Sequence, residues 1–128
     1  MLKQFREKPE VRVVTDQWGS PTYASDLAEA IISIIDIDPG TFGLYHFANE
    51  GEINWYQFAT EIYNLARIEG LTGRSVRLLP VKTGQYPTKA KRPVNSCLSK
   101  EKISRDLKIK IKLWKESLAN CITALKID

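Results

Sequence analysis

Two short stretches of this chain crowd together side chains able to bind a polar ligand. The first is Asp16-Gln-Trp-Gly-Ser-Pro-Thr-Tyr23. Asp16 and Gln17 can hydrogen-bond sugar hydroxyls, and Trp18 and Tyr23 offer flat faces to a base or a sugar. Gly19 opens a backbone conformation closed to other residues, and Pro21 stiffens the exit. The same residues also suit a plain strand-to-helix turn in which Asp16 binds local backbone amides and Trp18 is packed, so both readings stand. The second stretch is Gln85-Tyr-Pro-Thr-Lys-Ala-Lys-Arg-Pro-Val-Asn-Ser96, which gathers Lys89, Lys91 and Arg92 beside hydroxyl and amide groups. Arg binds two pyrophosphate oxygens at once, Lys adds compact positive charge, and Ser or Thr adds donors. A merely solvated basic loop is the alternative; the first loop beside it favours binding.

Both loops need a scaffold. Met1 to Lys8 has apolar residues at helical spacing and is stopped by Pro9, so it reads as the tail of a helix. Val11–Val14 is β-branched and reads as a strand. Leu27, Ile31, Ile34 and Ile35 mark a helix from Ser25 to about Asp36, closed by Pro39-Gly40. Leu44–Phe47 reads as a short strand. Asn54 then stands at an N-cap with Gln57 three residues on, opening a helix over 55–69 that ends at Gly70. Val76–Val81 is the next strand, and Lys82 to Asn95, with Gly84, Pro87 and Pro93, has no period and forms a long loop of the functional kind. Ser99 caps a short helix, and Trp114, Leu118, Cys121, Ile122 and Leu125 form the inward stripe of a last one. Leu107–Leu113 alternates strictly and suits a strand or an extended linker equally. Tyr45, Phe47, Phe58, Ile62 and Trp114 belong to the core, and His46 alternates away from it as a bystander. The result is one α/β domain over residues 1–128, with roughly four helices and three or four short strands.

Composition narrows the partners. Nineteen Lys and Arg against fifteen Asp and Glu give a formal charge of +4, which favours anionic ligands but falls far short of a dedicated nucleic-acid binder. Lys108, Lys110 and Lys112 read as a charged edge that resists strand pairing rather than a nucleic-acid patch, because no aromatics are interleaved. Two distant cysteines, Cys97 and Cys121, with no apolar leader and no membrane-length apolar run, point to the cytoplasm, with thiols reduced and no membrane partner. With His46 alone and no Cys-x-x-Cys, no metal site is expected, and Lys100 near Cys97 does not by itself make a reactive thiol.

Four segments, in order and spacing, carry a specific resemblance: Asp16-Gln-Trp-Gly-Ser-Pro-Thr22, Gly43-Leu-Tyr-His-Phe47, Trp55-Tyr-Gln-Phe-Ala59 and Tyr86-Pro-Thr-Lys-Ala-Lys-Arg-Pro-Val-Asn-Ser96. Together they resemble the C-terminal part of the dTDP-4-dehydrorhamnose reductase family, within the extended short-chain dehydrogenases/reductases, and the likeness covers nearly the whole chain. It implies the substrate-binding lobe of a Rossmann-type, NAD(P)-binding enzyme that uses NADPH to reduce the 4-keto group of dTDP-4-dehydro-L-rhamnose. It further implies that Asp16, Gln17 and Trp18 approach the sugar or nucleotide, and that Lys89, Lys91, Arg92 and Ser96 lie near the dTDP moiety. Such enzymes bind cofactor on a glycine-rich turn and protonate the alkoxide with a Tyr-x-x-x-Lys pair. Neither is in this chain: Tyr63 is followed four residues later by Arg67, and Tyr86 by Ala90. The resemblance thus assigns no catalytic or cofactor-binding residue here. It places NADPH on an absent N-terminal half, makes that half a partner, and predicts an isolated chain that does not turn over. Some family members form dimers and depend on magnesium held by glutamates, for which no residue here is assigned. Leu2, Phe5 and Trp18 are expected to be uncovered where the other half would dock. Two rival roles are a non-catalytic regulatory subunit of the same fold and a small nucleic-acid module built on Lys108, Lys110 and Lys112.

Overall fold

The computed structural model describes residues 1–37, 42–86, 88 and 90–125. The elements run α1 (Leu2–Glu7), β1 (Glu10–Val14), β2 (Trp18–Gly19), α2 (Ala24–Ile35), β3 (Ile53–Asn54), α3 (Trp55–Ile68), β4 (Arg77–Val81), a 3₁₀ turn (Thr83–Gln85), α4 (Glu101–Leu107) and α5 (Trp114–Ala124). The β-branched run of β1 pairs in parallel with β4, Val11 beside Leu78 and Val14 beside Val81, with α3 in the connection between them. Pro80 can sit in β4 because the sheet has two strands, leaving one side of β4 free of ladder bonds. A second, two-residue pairing sets Trp18 against Asn54 in antiparallel sense, too short for any β-branched run to signal.

The core lies where α1, α3 and α5 meet the inner face of β1. Phe5, Val11, Val13, Ile53, Ile62, Trp114, Leu118 and Ile122 are buried in it. Its rings meet edge to face, Phe5 on Tyr63 with centroids 5.4 Å apart and Phe58 on Trp114 at 5.8 Å. Gly51 has φ +95°, and a Cβ there would stand 2.7 Å from Trp114 Cδ1, so this approach of backbone to indole is reserved for glycine. The Asn54 cap forms as expected, its side chain accepting from Gln57 N at 2.9 Å. At α4 the capping position is Lys100, not Ser99, and its side chain makes no cap bond. Phe5, expected to be uncovered, is fully buried against Tyr63, whereas Leu2 is half-buried and Trp18 is exposed.

The strand expected at 44–47 and the core placement expected of Tyr45 and Phe47 fail together. Leu44–Phe47 forms no strand, because a strand needs a neighbouring backbone and none lies alongside it among the described residues. Tyr45 and Phe47 are accordingly half-buried instead of core, and the Tyr45 ring is covered by the Lys102 ammonium 4.5 Å from its centroid. On α2 the helix forms as expected, and its apolar stripe is turned outward. Leu27, Ile31, Ile34 and Ile35 are 36–74% exposed, while Asp26 and Ala30 are the buried residues. After α4, Lys108 takes a left-handed conformation (φ 55°) and the chain runs extended to a single bridge between Leu113 and Glu50. The linker reading of 107–113 therefore holds over the strand reading. Pro39 and Gly40, expected to close α2, lie outside the described residues.

Candidate functional site

Asp16 leaves the end of β1 and reaches across to the 3₁₀ turn that follows β4. Its carboxylate accepts from the Thr83 amide at 3.0 and 3.1 Å and from the Thr83 hydroxyl at 2.8 Å, across 67 residues of sequence. These bonds, the hydroxyl first and the amide next, hold the Asp16 carboxyl below the ordinary carboxylate range. Gln17 is buried and donates to the same Thr83 hydroxyl at 3.1 Å. Asp16 is therefore engaged chiefly with Thr83, with its own backbone amide a lesser partner. It ties the first loop to the start of the second.

A second set of bonds joins the loops further on. Trp18 N donates to Val94 O at 2.8 Å, and Ser96 returns with its amide and its hydroxyl, both 3.0 Å from Trp18 O. Trp18 also bridges Asn95 in parallel. The two loops that looked separate in sequence are one surface, sewn by Asp16–Thr83 at one end and Trp18–Ser96 at the other. Trp18 stands exposed on it, and Lys91 and Arg92 are exposed without an ion-pair partner among the described residues. Lys89 lies outside the described residues. Tyr23, offered by the sequence as a ring face, is half-buried and serves as the N-cap residue of α2, its amide donating to Asn49 Oδ1 at 2.8 Å. A surface of this kind can present hydrogen-bond donors and two long-armed cations to an anion.

Behind the loops lies a buried polar cluster that periodicity could not reveal, because the spacing in α2 marks a helix without saying which of its sides is buried. Asn49, fully buried, donates to Asp26 Oδ2 at 2.7 Å, Ser117 Oγ at 2.9 Å and Lys112 O at 3.2 Å. Asp26 also accepts from the Ser117 hydroxyl in a very short bond and from Lys112 Nζ at 2.9 Å. Burial pushes the Asp26 carboxyl up, yet the bonds from Ser117, Lys112 and Asn49 together outweigh it and leave it below its ordinary value. Asp26 and then Glu29 bond to Lys112 and raise its pKa. With two carboxylates on it, Lys112 is poorly placed to meet a polyanion.

A dinucleotide cofactor does not fit the residues present. The turn after β1 carries one glycine, Gly19, where an added Cβ would already stand 3.1 Å from Ser96 Oγ, and the turn after β4 leads into a 3₁₀ turn, not a long helix. Among the described residues no three His, Cys, Asp or Glu side chains gather as a metal site, and no helix is long and apolar enough to cross a membrane.

Fold and site together define a small mixed α/β domain with a loop-built polar surface. The chain belongs to the RmlD substrate binding domain family, whose model it matches over residues 1–127. It is 42% identical to the spore coat polysaccharide biosynthesis protein SpsK of Bacillus subtilis, over 92% of this chain and 38% of that protein. Among solved structures it resembles a dTDP-4-dehydrorhamnose reductase of Clostridium acetobutylicum (TM-score 0.85, 33% identity, 98% of this chain and 42% of that one). It likewise resembles the Bacillus anthracis dTDP-4-dehydrorhamnose reductase in complex with NADP (TM-score 0.83, 30% identity, 96% and 40%). The chain thus spans about two fifths of the length of these relatives.

Proposed function

We propose that this domain is the C-terminal, substrate-binding lobe of a dTDP-4-dehydrorhamnose reductase, binding the dTDP-sugar while a Rossmann half outside this chain holds NADPH and reduces dTDP-4-dehydro-L-rhamnose to dTDP-L-rhamnose. The observation that carries the reading is the joining of the two loops through Thr83 and Ser96. It brings Trp18, Lys91 and Arg92 onto one surface in a chain of this family. In this reading Arg92 and Lys91 bind the diphosphate, Lys89 adds charge, and Trp18 packs on sugar or base. Asp16, Gln17 and Ser96 keep the two loops in register. The outward stripe of α2 and the unpaired 42–47 segment are where the Rossmann half would dock. The isolated chain would bind and not turn over, in keeping with a cytoplasmic enzyme assembled from both halves. Some relatives dimerise and use magnesium; no residue here is given to either role.

Calorimetric titration with dTDP-L-rhamnose tests this. We expect saturable binding that Arg92→Ala with Lys91→Ala weakens by about 100-fold, on the scale of two charge-assisted contacts. Unchanged binding in that double variant would remove the diphosphate assignment. Absence of any binding would favour a regulatory subunit.

A further inference from the structure

The strap of chain from Trp18 to Tyr23 runs beside unfilled space. Gly19 and Ser20 border a hollow of about 90 Å³ whose other walls include Trp55 and Ser96. Thr22 and Tyr23 border a second of about 90 Å³, against Trp114, Leu118 and Cys121. Pro21 and Phe58 belong to both. Close packing fixes the place of a segment in a filled interior, and a segment beside voids depends instead on its polar anchors. The strap's own side chains supply little. Ser20 Oγ is buried with no hydrogen-bond partner among the described residues, and the Thr22 hydroxyl reaches only Ser20 O, at 3.4 Å. The anchors stand at the two ends. At the first, Trp18 O accepts from Ser96. At the second, the Tyr23 amide donates to Asn49 Oδ1 at 2.8 Å, and Tyr23 makes no side-chain cap bond that could replace it where α2 begins. Asn49 is itself fixed from three sides, by Asp26 of α2, Ser117 of α5 and the Lys112 carbonyl. A carboxamide suits both tasks, because Nδ2 donates to the Asp26 carboxylate while Oδ1 is left to accept from Tyr23. A carboxylate of the same size would meet Asp26 acceptor to acceptor, and an aliphatic side chain would hold neither partner.

We infer that Asn49 is a positioning residue for ligand binding: through the Tyr23 amide it holds the strap, and with it the stance of the Trp18 ring. The assignment rests on the nucleotide-sugar reading above, in which Trp18 packs on sugar or base, and adds a residue outside both loops that sets this contact. Anchoring and binding are then reciprocal. A ligand that needs the strap in place must in turn strengthen the bond that keeps it there.

The test is calorimetric titration of the 128-residue chain with dTDP-L-rhamnose and with inorganic pyrophosphate, unmodified and as Asn49→Leu and Ser117→Ala. Both substitutions weaken the buried cluster, but only the first strips Tyr23 of its acceptor. We expect Asn49→Leu to weaken dTDP-L-rhamnose by about ten-fold, the scale of one stacking contact, with pyrophosphate binding unchanged. Ser117→Ala should lower the melting temperature and keep both affinities. In a Trp18→Ala background Asn49→Leu should cost nothing further, because the two act through one contact. Unchanged dTDP-L-rhamnose affinity in Asn49→Leu, an equal loss in Ser117→Ala, a matching loss for pyrophosphate, or full additivity with Trp18→Ala would each overturn the assignment and leave the nucleotide-sugar reading intact. An unmodified chain that does not bind dTDP-L-rhamnose would remove that reading and this one together. Should Asn49→Leu melt below the titration temperature, amide exchange in the unmodified chain decides. Saturating dTDP-L-rhamnose should slow exchange of the Tyr23 N–H by about ten-fold, and an unchanged rate would overturn the assignment.

Discussion

Asn49 is the side chain on which most depends. It is fully buried, holds Asp26, Ser117 and the Lys112 carbonyl, and accepts from Tyr23 N at the start of α2. Asn49→Ala leaves several buried polar groups without a partner, so we expect a loss of about 3 kcal/mol in urea unfolding. Asp26 gives the same cluster a pH signature. Its carboxyl sits below the ordinary value when folded, so its contribution is complete above the unfolded-state pKa and is lost as pH falls through the folded one. Melting temperature should drop as pH is lowered from about 5 toward 2, and Asp26→Asn should flatten part of that acid limb while lowering stability at neutral pH. Lys112 works in the opposite direction: its raised pKa keeps its contribution full at neutral pH and withdraws it only as pH rises through the raised value, above 10.5. None of this was legible in the sequence. An acidic residue beside an apolar stripe reads as solvent-facing, and only the fold shows that Asp26 is the buried side.

At the level of elements, α2 shows what periodicity measures and what it leaves open. Spacing located the helix, since Leu27, Ile31, Ile34 and Ile35 do share a face. It could not say against what that face packs, and in this chain its residues stand 36–74% exposed and take no part in the core. Ile31→Glu with Ile35→Glu should therefore change the stability of this chain by no more than about 0.5 kcal/mol, while reducing binding of a hydrophobic dye. A large destabilisation would mean the stripe is covered in solution. The helix over 55–69 and its Asn54 cap were readable because they depend on local chemistry, and β1 and β4 because β-branched runs are. Strand 44–47 was misread because a ladder requires a neighbour the pattern does not contain. The site was half legible. Loop composition singled out Trp18, Lys91 and Arg92, but Thr83, which receives both Asp16 and Gln17, is an ordinary residue in a polar stretch.

For the whole molecule, the distances in sequence across the β1–β4 pair and the loop stitches have a kinetic meaning. Glu10 pairs with Arg77, and Trp18 O accepts from Ser96 across 78 residues, so the joined-loop surface is not assembled until residues 10–18 meet residues 77–96. Helix α3 and its cap need only neighbours and can form early; the stitches close long loops and are formed late. Interactions absent from the folding transition state act on the escape from the native state. Under the proposed function, a nucleotide bridging the two loops should thus slow unfolding in proportion to its binding while leaving the refolding rate nearly unchanged. Stopped-flow chevrons with and without dTDP would show one arm moving and the other still, which makes the ligand a latch on a finished surface and not a template for building it.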